Sequence, residues 1–228
     1  FREFNSRSLV IPPRCVVENC SPDDRYSIKC DSHTHMTFDY IPANVHHWFL
    51  SNSMVTHPKI TCLPFGMHPG VENVLANVDT NNDKDKWVYV NFQTYTLDRF
   101  FIKGYLSSRK DAFKDWMTFV EQANKPLEHY LQDISEHKFT LCPNGNGVDC
   151  YRTWEALYLG SIPIVERSAT SSFFKDLPIV EIDDIGQLNI QFLQEKYAEI
   201  KSRNDWNYEK LDLNFWKTRI EEIENEVN

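Results

Sequence analysis

The sequence predicts an α/β protein: a parallel sheet with helices on its faces. From residue 87 onward, β-rich runs alternate with helical periods, the pattern of strand–helix–strand units. Glycines cluster where one buried strand gives way to a helix. A polar, Gly- and Pro-rich tract before residue 87 sets this region apart from an irregular N-terminal portion.

Each element has its own signal. Short β-like runs lie at 8–11 and 59–63, and a helical pattern follows Pro42 over 43–50. Residues 63–70 hold two Pro and two Gly in Leu63-Pro64-Phe65-Gly66-Met67-His68-Pro69-Gly70, which is loop chemistry. A domain boundary is expected between Gly70 and Lys86. The run 87–92 (WVYVNF) reads as a strand. Phe113, Trp116 and Val120 place a helix over 108–123, and Leu127, Tyr130, Leu131 and Ile134 place another over 127–134, with Pro126 between them. Residues 138–142 (KFTLC), 162–166 (IPIVE) and 178–182 (PIVEI) read as strands. A helix over 149–159 ends at Gly160, and Ile190, Leu193, Tyr197 and Ile200 mark a further one. Leu213, Trp216, Ile220, Ile223 and Val227 form one apolar helical stripe at the end of the chain.

Composition limits the function. The chain has 228 residues, 41% apolar and 14% aromatic, enough for a substantial core. Its formal net charge of −9 argues against generic binding to nucleic acid or anionic lipid. An anionic ligand therefore needs a local basic site. No apolar run approaches the roughly 18 residues of a membrane span. The first residue is Phe1, which reads as an excised domain or processed product; a cytoplasmic protein or a soluble domain of a larger one is expected. The 6 cysteines contain no Cys-x-x-Cys pair. They read as reduced, buried thiols, although Cys15, Cys20 and Cys30 could supply a disulfide in an oxidising compartment.

Three of the 7 glycines, Gly145, Gly147 and Gly160, fall within one short segment. There a buried strand runs into Pro143-Asn144-Gly145-Asn146-Gly147, and a helix starts near Asp149, a residue type suited to N-capping. Backbone amides in such a turn can approach a ligand closely. The helix N-terminus adds unpaired N–H groups and partial positive charge, giving a phosphate cradle at the C-terminal edge of the sheet. Arg152 and Glu155, three apart, share a helix face. The cation can grip phosphate and the carboxylate can accept from ribose hydroxyls. The same spacing also suits a plain glycine turn with an Arg–Glu surface pair.

The segment 137–166 resembles the nucleotide-sugar signature of exostosin-like glycosyltransferases, which have the GT-B fold. The residues that carry the resemblance are Leu141-Cys142-Pro143, the Gly145–Gly147 loop, Arg152, Glu155-Ala156-Leu157 and Gly160-Ser161-Ile162-Pro163-Ile164-Val165. More loosely, Trp48-Phe49 through His57-Pro58-Lys59-Ile60 to Leu63-Pro64-Phe65-Gly66 is similar to the approach to the second domain of such enzymes. Val90-Asn91-Phe92 followed by Arg99 resembles that domain's first strand and its phosphate-contacting Arg. The resemblance implies a GT-B-like, Rossmann-type parallel-sheet domain at 81–207 with a smaller N-terminal α/β domain. That acceptor-side domain is reduced to 1–80, because GT-B enzymes are usually longer. It further implies a C-terminal helix, 208–228, crossing back to the N-terminal domain.

The implied reaction moves a sugar from a UDP- or GDP-linked donor to a hydroxyl of a glycan or glycoprotein, with inversion. Charge building on the leaving diphosphate needs fixed donors. The donor-site candidates are Arg99, Arg109, Asn144, Gly145, Gly147, Arg152 and Glu155; Arg109 equally suits a solvated surface. An inverting enzyme also needs a base, and Asp31 or His33 in Asp31-Ser32-His33-Thr34-His35 is the candidate. That cluster also suits a hydrogen-bonded turn or, through His33 and His35, a metal. The Asp183-Asp184 pair reads as a strand-end turn, His46-His47 as a helix surface, and Trp154 as core or a sugar platform. No metal or other cofactor is expected, and no nucleic-acid partner. The competing readings are a nucleotide- or sugar-binding module without catalysis, and a flavodoxin- or Rossmann-type enzyme of other chemistry, weakened by the absence of G-x-G-x-x-G after a strand.

Overall fold

The computed structural model describes residues 28–30, 36–38, 45–80 and 83–227. The N-terminal part contributes two small sheets. Strands β1 (Ile28–Cys30) and β2 (Met36–Phe38) pair antiparallel, and β3 (Trp48–Ser51) and β4 (Ile60–Leu63) pair parallel. Where a helix over 43–50 is expected, the described residues hold the strand β3 instead. Trp48, Phe49 and Leu50 are bulky consecutive apolar residues, better suited to pairing along β4 than to a two-turn helix. The expected strand at 8–11 lies outside the described residues.

After α1 (Glu72–Leu75) comes the main sheet. Its strands are β5 (Lys86–Val90), β6 (Met117–Phe119), β7 (His137–Leu141), β8 (Ile162–Glu166) and β9 (Val180–Ile182). All are parallel, in the order β6-β5-β7-β8-β9. The crossovers run through α2 (Leu97–Ser107) and α3 (Lys110–Phe113), α4 (Leu127–Glu136), α5 (Tyr151–Tyr158) and α6 (Ala169–Ser172). Helices α7 (Ile190–Ser202) and α8 (Leu213–Val227) follow. This is a Rossmann-like α/β domain. Where one helix is expected over 108–123, the chain forms the short α3 and then the edge strand β6, whose Met117 lies opposite Val88.

Period-two alternation sends successive strand residues to opposite faces. Val88, Val90, Phe139, Leu141, Ile162 and Ile164 pack with Leu106 of α2 and with Leu193 and Ile200 of α7. On the other face, Tyr89 packs with Leu131 and Ile134 of α4 and Ala156 of α5. Pro163 sits inside β8 at no cost to the ladder. Ile164 turns its carbonyl to Cys142 on the β7 side, so Pro163 faces the opposite side, where β9 begins only opposite Ile164. Gly160 ends α5 with φ of 67°, the left-handed conformation that stops a helix.

A third cluster joins β4 to α8. Cys62 and Leu63 of β4 pack with Trp154, Leu157, Phe174, Leu177 and Trp216 of α8, flanked by Phe49 and Phe65. Among the described residues, no helix is long and apolar enough to cross a membrane.

Candidate functional site

The site forms at the C-terminal edge of the sheet, where β7 runs into the loop 143–150. Arg99 lies in the first turn of α2, whose start is fixed by Thr96 capping the Arg99 amide. Its Nε donates to the Asn144 carbonyl at 2.8 Å and a terminal nitrogen donates to the Pro143 carbonyl at 3.1 Å. A Cβ added to Gly145 would come within 3.0 Å of that nitrogen, so the glycine makes room for the guanidinium.

Gly147 meets a different partner. A Cβ there would come 2.3 Å from Asn52 Oδ1, which accepts from the Asp149 amide at 2.7 Å. Asn52, just after β3, holds a left-handed φ of 56°, a conformation that Asn tolerates better than most residues. An N-terminal residue thus supplies the acceptor that a helix-capping side chain ordinarily provides. Asp149, expected as the N-cap, does other work, and Cys150 occupies the cap position without a side-chain capping bond. The Asp149 carboxylate accepts from Trp154 Nε1 at 2.8 and 3.0 Å and from the Phe65 amide at 2.8 Å. Burial raises its pKa to about 6, against the pull of those hydrogen bonds.

Arg152 projects from the first turn of α5. Its Nε is buried without an acceptor, and no described residue forms a hydrogen bond or ion pair with its guanidinium. Its nearest ring is Tyr130, 6.0 Å from the guanidinium carbon. Burial lowers the pKa of Arg99, and the charge of Arg152 lowers it further. Two cations within electrostatic reach of each other, neither ion-paired to a described carboxylate, are suited to receive an anion.

Glu155 is 4% exposed. Its Oε2 accepts from the Tyr130 hydroxyl at 2.7 Å, and its Oε1 from the His68 amide at 3.4 Å. Beside the loop, a cleft of about 450 Å³ opens along the ends of β7, β8 and β9, walled by Phe101, Tyr105 and Pro143 with Asp98, Glu166 and Asp184 at its margin. Asn144 Nδ2 donates to Glu166 Oε2 at 3.0 Å, while Asn144 Oδ1 and Glu166 Oε1 are buried without partners among the described residues.

Residues 72–209, well over half of the chain, match the family described as the RXYLT1 C-terminal domain. The chain belongs to this family. Relatives include ribitol-5-phosphate xylosyltransferase 1 of Homo sapiens and of Mus musculus, each 39% identical over 51 residues. That stretch is 22% of this chain and 12% of either relative.

In this member of the RXYLT1 C-terminal domain family, Arg99, Asn144, Gly145, Gly147, Arg152 and Glu155 all gather at the one loop. Arg109 does not join them. It is exposed at the far end of α2, about 15 Å along the helix from Arg99, with its guanidinium 4.1 Å over the Tyr105 ring. Asp31 and His33 lie outside the described residues. Asp183 and Asp184 form a strand-end turn: Asp183 accepts from Arg167 and Asp184 caps the next 3-10 turn. Trp154, 1% exposed, is core, and His47 bonds Thr61 from an irregular stretch, not a helix. Sequence reading did not find Asn52, Tyr130, His68 or Glu166 as parts of the site. Tyr130 registers only as an apolar helix position, and Asn52 carries no signal beyond its small polar neighbours.

Proposed function

We propose that the chain is the donor-binding part of a glycosyltransferase that uses a nucleoside diphosphate sugar. The observation that carries this reading is the Arg99–Arg152 pair, two cations without carboxylate partners among the described residues, set over a glycine loop at the sheet's C-terminal edge. Glycosyl transfer breaks the bond between an anomeric carbon and a diphosphate oxygen. Guanidiniums held in place before the bond breaks stabilise the charge that develops on the leaving diphosphate. The adjoining cleft gives a nucleoside room against Phe101 and Tyr105, with the Glu166 carboxylate among its lining groups.

The sugar goes to a hydroxyl of a glycan or glycoprotein, by inversion, with Asp31 or His33 as base and without a metal. Residues 1–80 then form the acceptor side, 81–207 the donor domain, and 208–228 the helix crossing back. The relatives are named for xylosyl transfer involving ribitol 5-phosphate, so a pentosyl donor and a phosphate-bearing polyol acceptor are the first pair to test. Incubation with a panel of UDP- and GDP-sugars, with and without acceptor, reads the release of free diphosphate. Acceptor-dependent release that persists in excess EDTA is expected. Binding without any release identifies a non-catalytic nucleotide-binding module, and loss of turnover on chelation removes the metal-free mechanism.

A further inference from the structure

Asn91 follows the last residue of β5 at the C-terminal edge of the sheet and is 4% exposed. It shares a sheet face with Tyr89, two positions before it. Its Nδ2 donates to the Tyr89 hydroxyl at 2.8 Å, and that hydroxyl donates to Asp133 Oδ2 at 2.7 Å. Lys125 donates to the same Asp133 oxygen, which keeps the carboxylate an acceptor. A phenol has one proton to give. With that proton committed to Asp133, Tyr89 can only accept from Asn91. The Asn91 amide is therefore held with Nδ2 toward Tyr89 and Oδ1 turned away. Asn91 Oδ1 has no hydrogen-bond partner, yet it is not one of the atoms sealed from solvent. A buried side chain thus presents one open acceptor in a fixed orientation, suited to a ligand's donor.

Two observations set this acceptor beside the anion site. Tyr89 lies opposite Thr140 of β7, so Asn91, two residues on, stands level with Cys142, where the chain enters the glycine loop. Burial raises the Tyr89 pKa and the charge of Arg152 acts against it, so that cation is within electrostatic reach of the hydroxyl that Asn91 touches. The Tyr89 ring is also 6.2 Å from the ring of Tyr130, which bonds Glu155. We infer that Asn91 selects the donor: its Oδ1 accepts a hydrogen bond from a sugar hydroxyl of the nucleoside diphosphate sugar. The inference rests on the reading of Arg99 and Arg152 as diphosphate ligands. Ribose and the transferred sugar both flank a diphosphate, and each carries hydroxyls that can reach such an acceptor. Inorganic pyrophosphate carries the charge without any sugar hydroxyl, so it reports the arginines alone.

The test titrates the full chain and its Asn91→Ala variant with pyrophosphate, UDP, GDP, UDP-xylose and GDP-mannose. The quantity read is the affinity for each nucleotide ligand relative to pyrophosphate. Asn91→Ala should lower that ratio by about three- to tenfold, the range of one neutral hydrogen bond. A fall already present with UDP or GDP puts the hydroxyl on ribose, and a fall confined to the nucleotide sugars puts it on the transferred sugar. In the first case the 2′- and 3′-deoxy nucleotides locate it, because the analogue that lacks the hydroxyl should bind parent and variant alike. A fall that persists with both analogues moves the contact to the base and overturns the inference. So does an unchanged ratio, including one in which pyrophosphate weakens equally, which would leave Asn91 a structural residue and the donor reading intact. If Asn91→Ala does not fold, Asn91→Ser, whose hydroxyl stops short of the Oδ1 position, carries the same comparison. Failure of the parent to bind any of these anions overturns the donor reading and the inference together.

Discussion

The Tyr130 hydroxyl donates a 2.7 Å hydrogen bond to Glu155 Oε2, and its ring lies 6.0 Å from the Arg152 guanidinium. One side chain of α4 therefore bonds Glu155 and lies near Arg152, the two candidate ligand-binding residues of α5. The relationship also explains how a carboxylate only 4% exposed survives in the interior, since its two oxygens are engaged by Tyr130 and the His68 amide.

Tyr130→Phe keeps the ring and removes the donor. It should cost about 1.5–3 kcal/mol in urea unfolding, the range for a hydrogen bond to a charged group, and should weaken UDP or GDP binding as Glu155 and Arg152 lose their fixed positions. Unchanged stability and affinity together would remove Tyr130 from the site.

Arg152→Met should separate binding from stability. The Arg152 guanidinium makes no hydrogen bond or ion pair with a described residue, so the Met variant should unfold within about 1 kcal/mol of the parent. Its diphosphate affinity should nevertheless fall by about 1.5–3 kcal/mol, at least tenfold. A large loss of stability would instead make Arg152 a structural residue.

Gly147→Ala tests the join between the N-terminal strand pair and the loop. The new Cβ would meet Asn52 Oδ1 at 2.3 Å, and the Asn52 bond to the Asp149 amide must give way. The expected loss is about 1–3 kcal/mol, the cost of stranding a buried donor. If Asn52 merely swings aside into solvent without cost, unfolding of the variant will match the parent.

The pattern of residues made the sheet legible but not the site's partners. Strands β5, β7 and β8 each present five residues with strong apolar content, and α5 ends where Gly160 says it should. Three-residue strands such as β6 carry too few positions to show a period, and Phe113, Trp116 and Val120 imitate a helix there. Arg99, Arg152 and the loop follow from motif and spacing. The bonds that hold them do not, because Asn52 meets Asp149 across 97 positions and Phe65 meets the same residue across 84. A side chain's distant partner leaves no periodic trace in the sequence.

Asp149 sets a pH dependence. Its folded pKa of about 6 stands above the ordinary 3.8, chiefly through burial. The folded chain holds this proton more tightly than the unfolded one, so the group's contribution to stability is full below about pH 4 and is lost as pH rises through about 6. Relative to Asp149→Asn, the parent should lose on the order of 3 kcal/mol across that window. A stability difference between the two proteins that stays flat from pH 4 to about 6.5 would count against a buried, raised carboxyl.

Trp216 ties α8 to the other end of the chain. The residue is 5% exposed, and its ring meets Phe174 at 6.3 Å and Phe215 at 5.1 Å, both edge-on. Its Nε1 donates to the Lys210 carbonyl at 2.9 Å. The cluster around it includes Cys62 and Leu63 of β4. Further along α8, Arg219 adds to burial in lowering the pKa of His47, and Glu226 opposes it, so the helix passes within electrostatic reach of the segment before β3. Trp216→Ala should cost about 3–5 kcal/mol by opening a cavity in this cluster. Loss of stability alone would not show where the cavity lies. Leu193→Ala provides the comparison, because it opens a cavity of similar cost, about 2–5 kcal/mol, in the cluster between the sheet and α7. Labelling by a neutral thiol reagent under native conditions then compares Cys62 with Cys142, both buried in the parent. If α8 covers β4, the ratio of Cys62 to Cys142 labelling rises in Trp216→Ala and not in Leu193→Ala. A ratio that moves equally in both variants would place Trp216 over the main sheet alone and leave the N-terminal strands without their cover from α8.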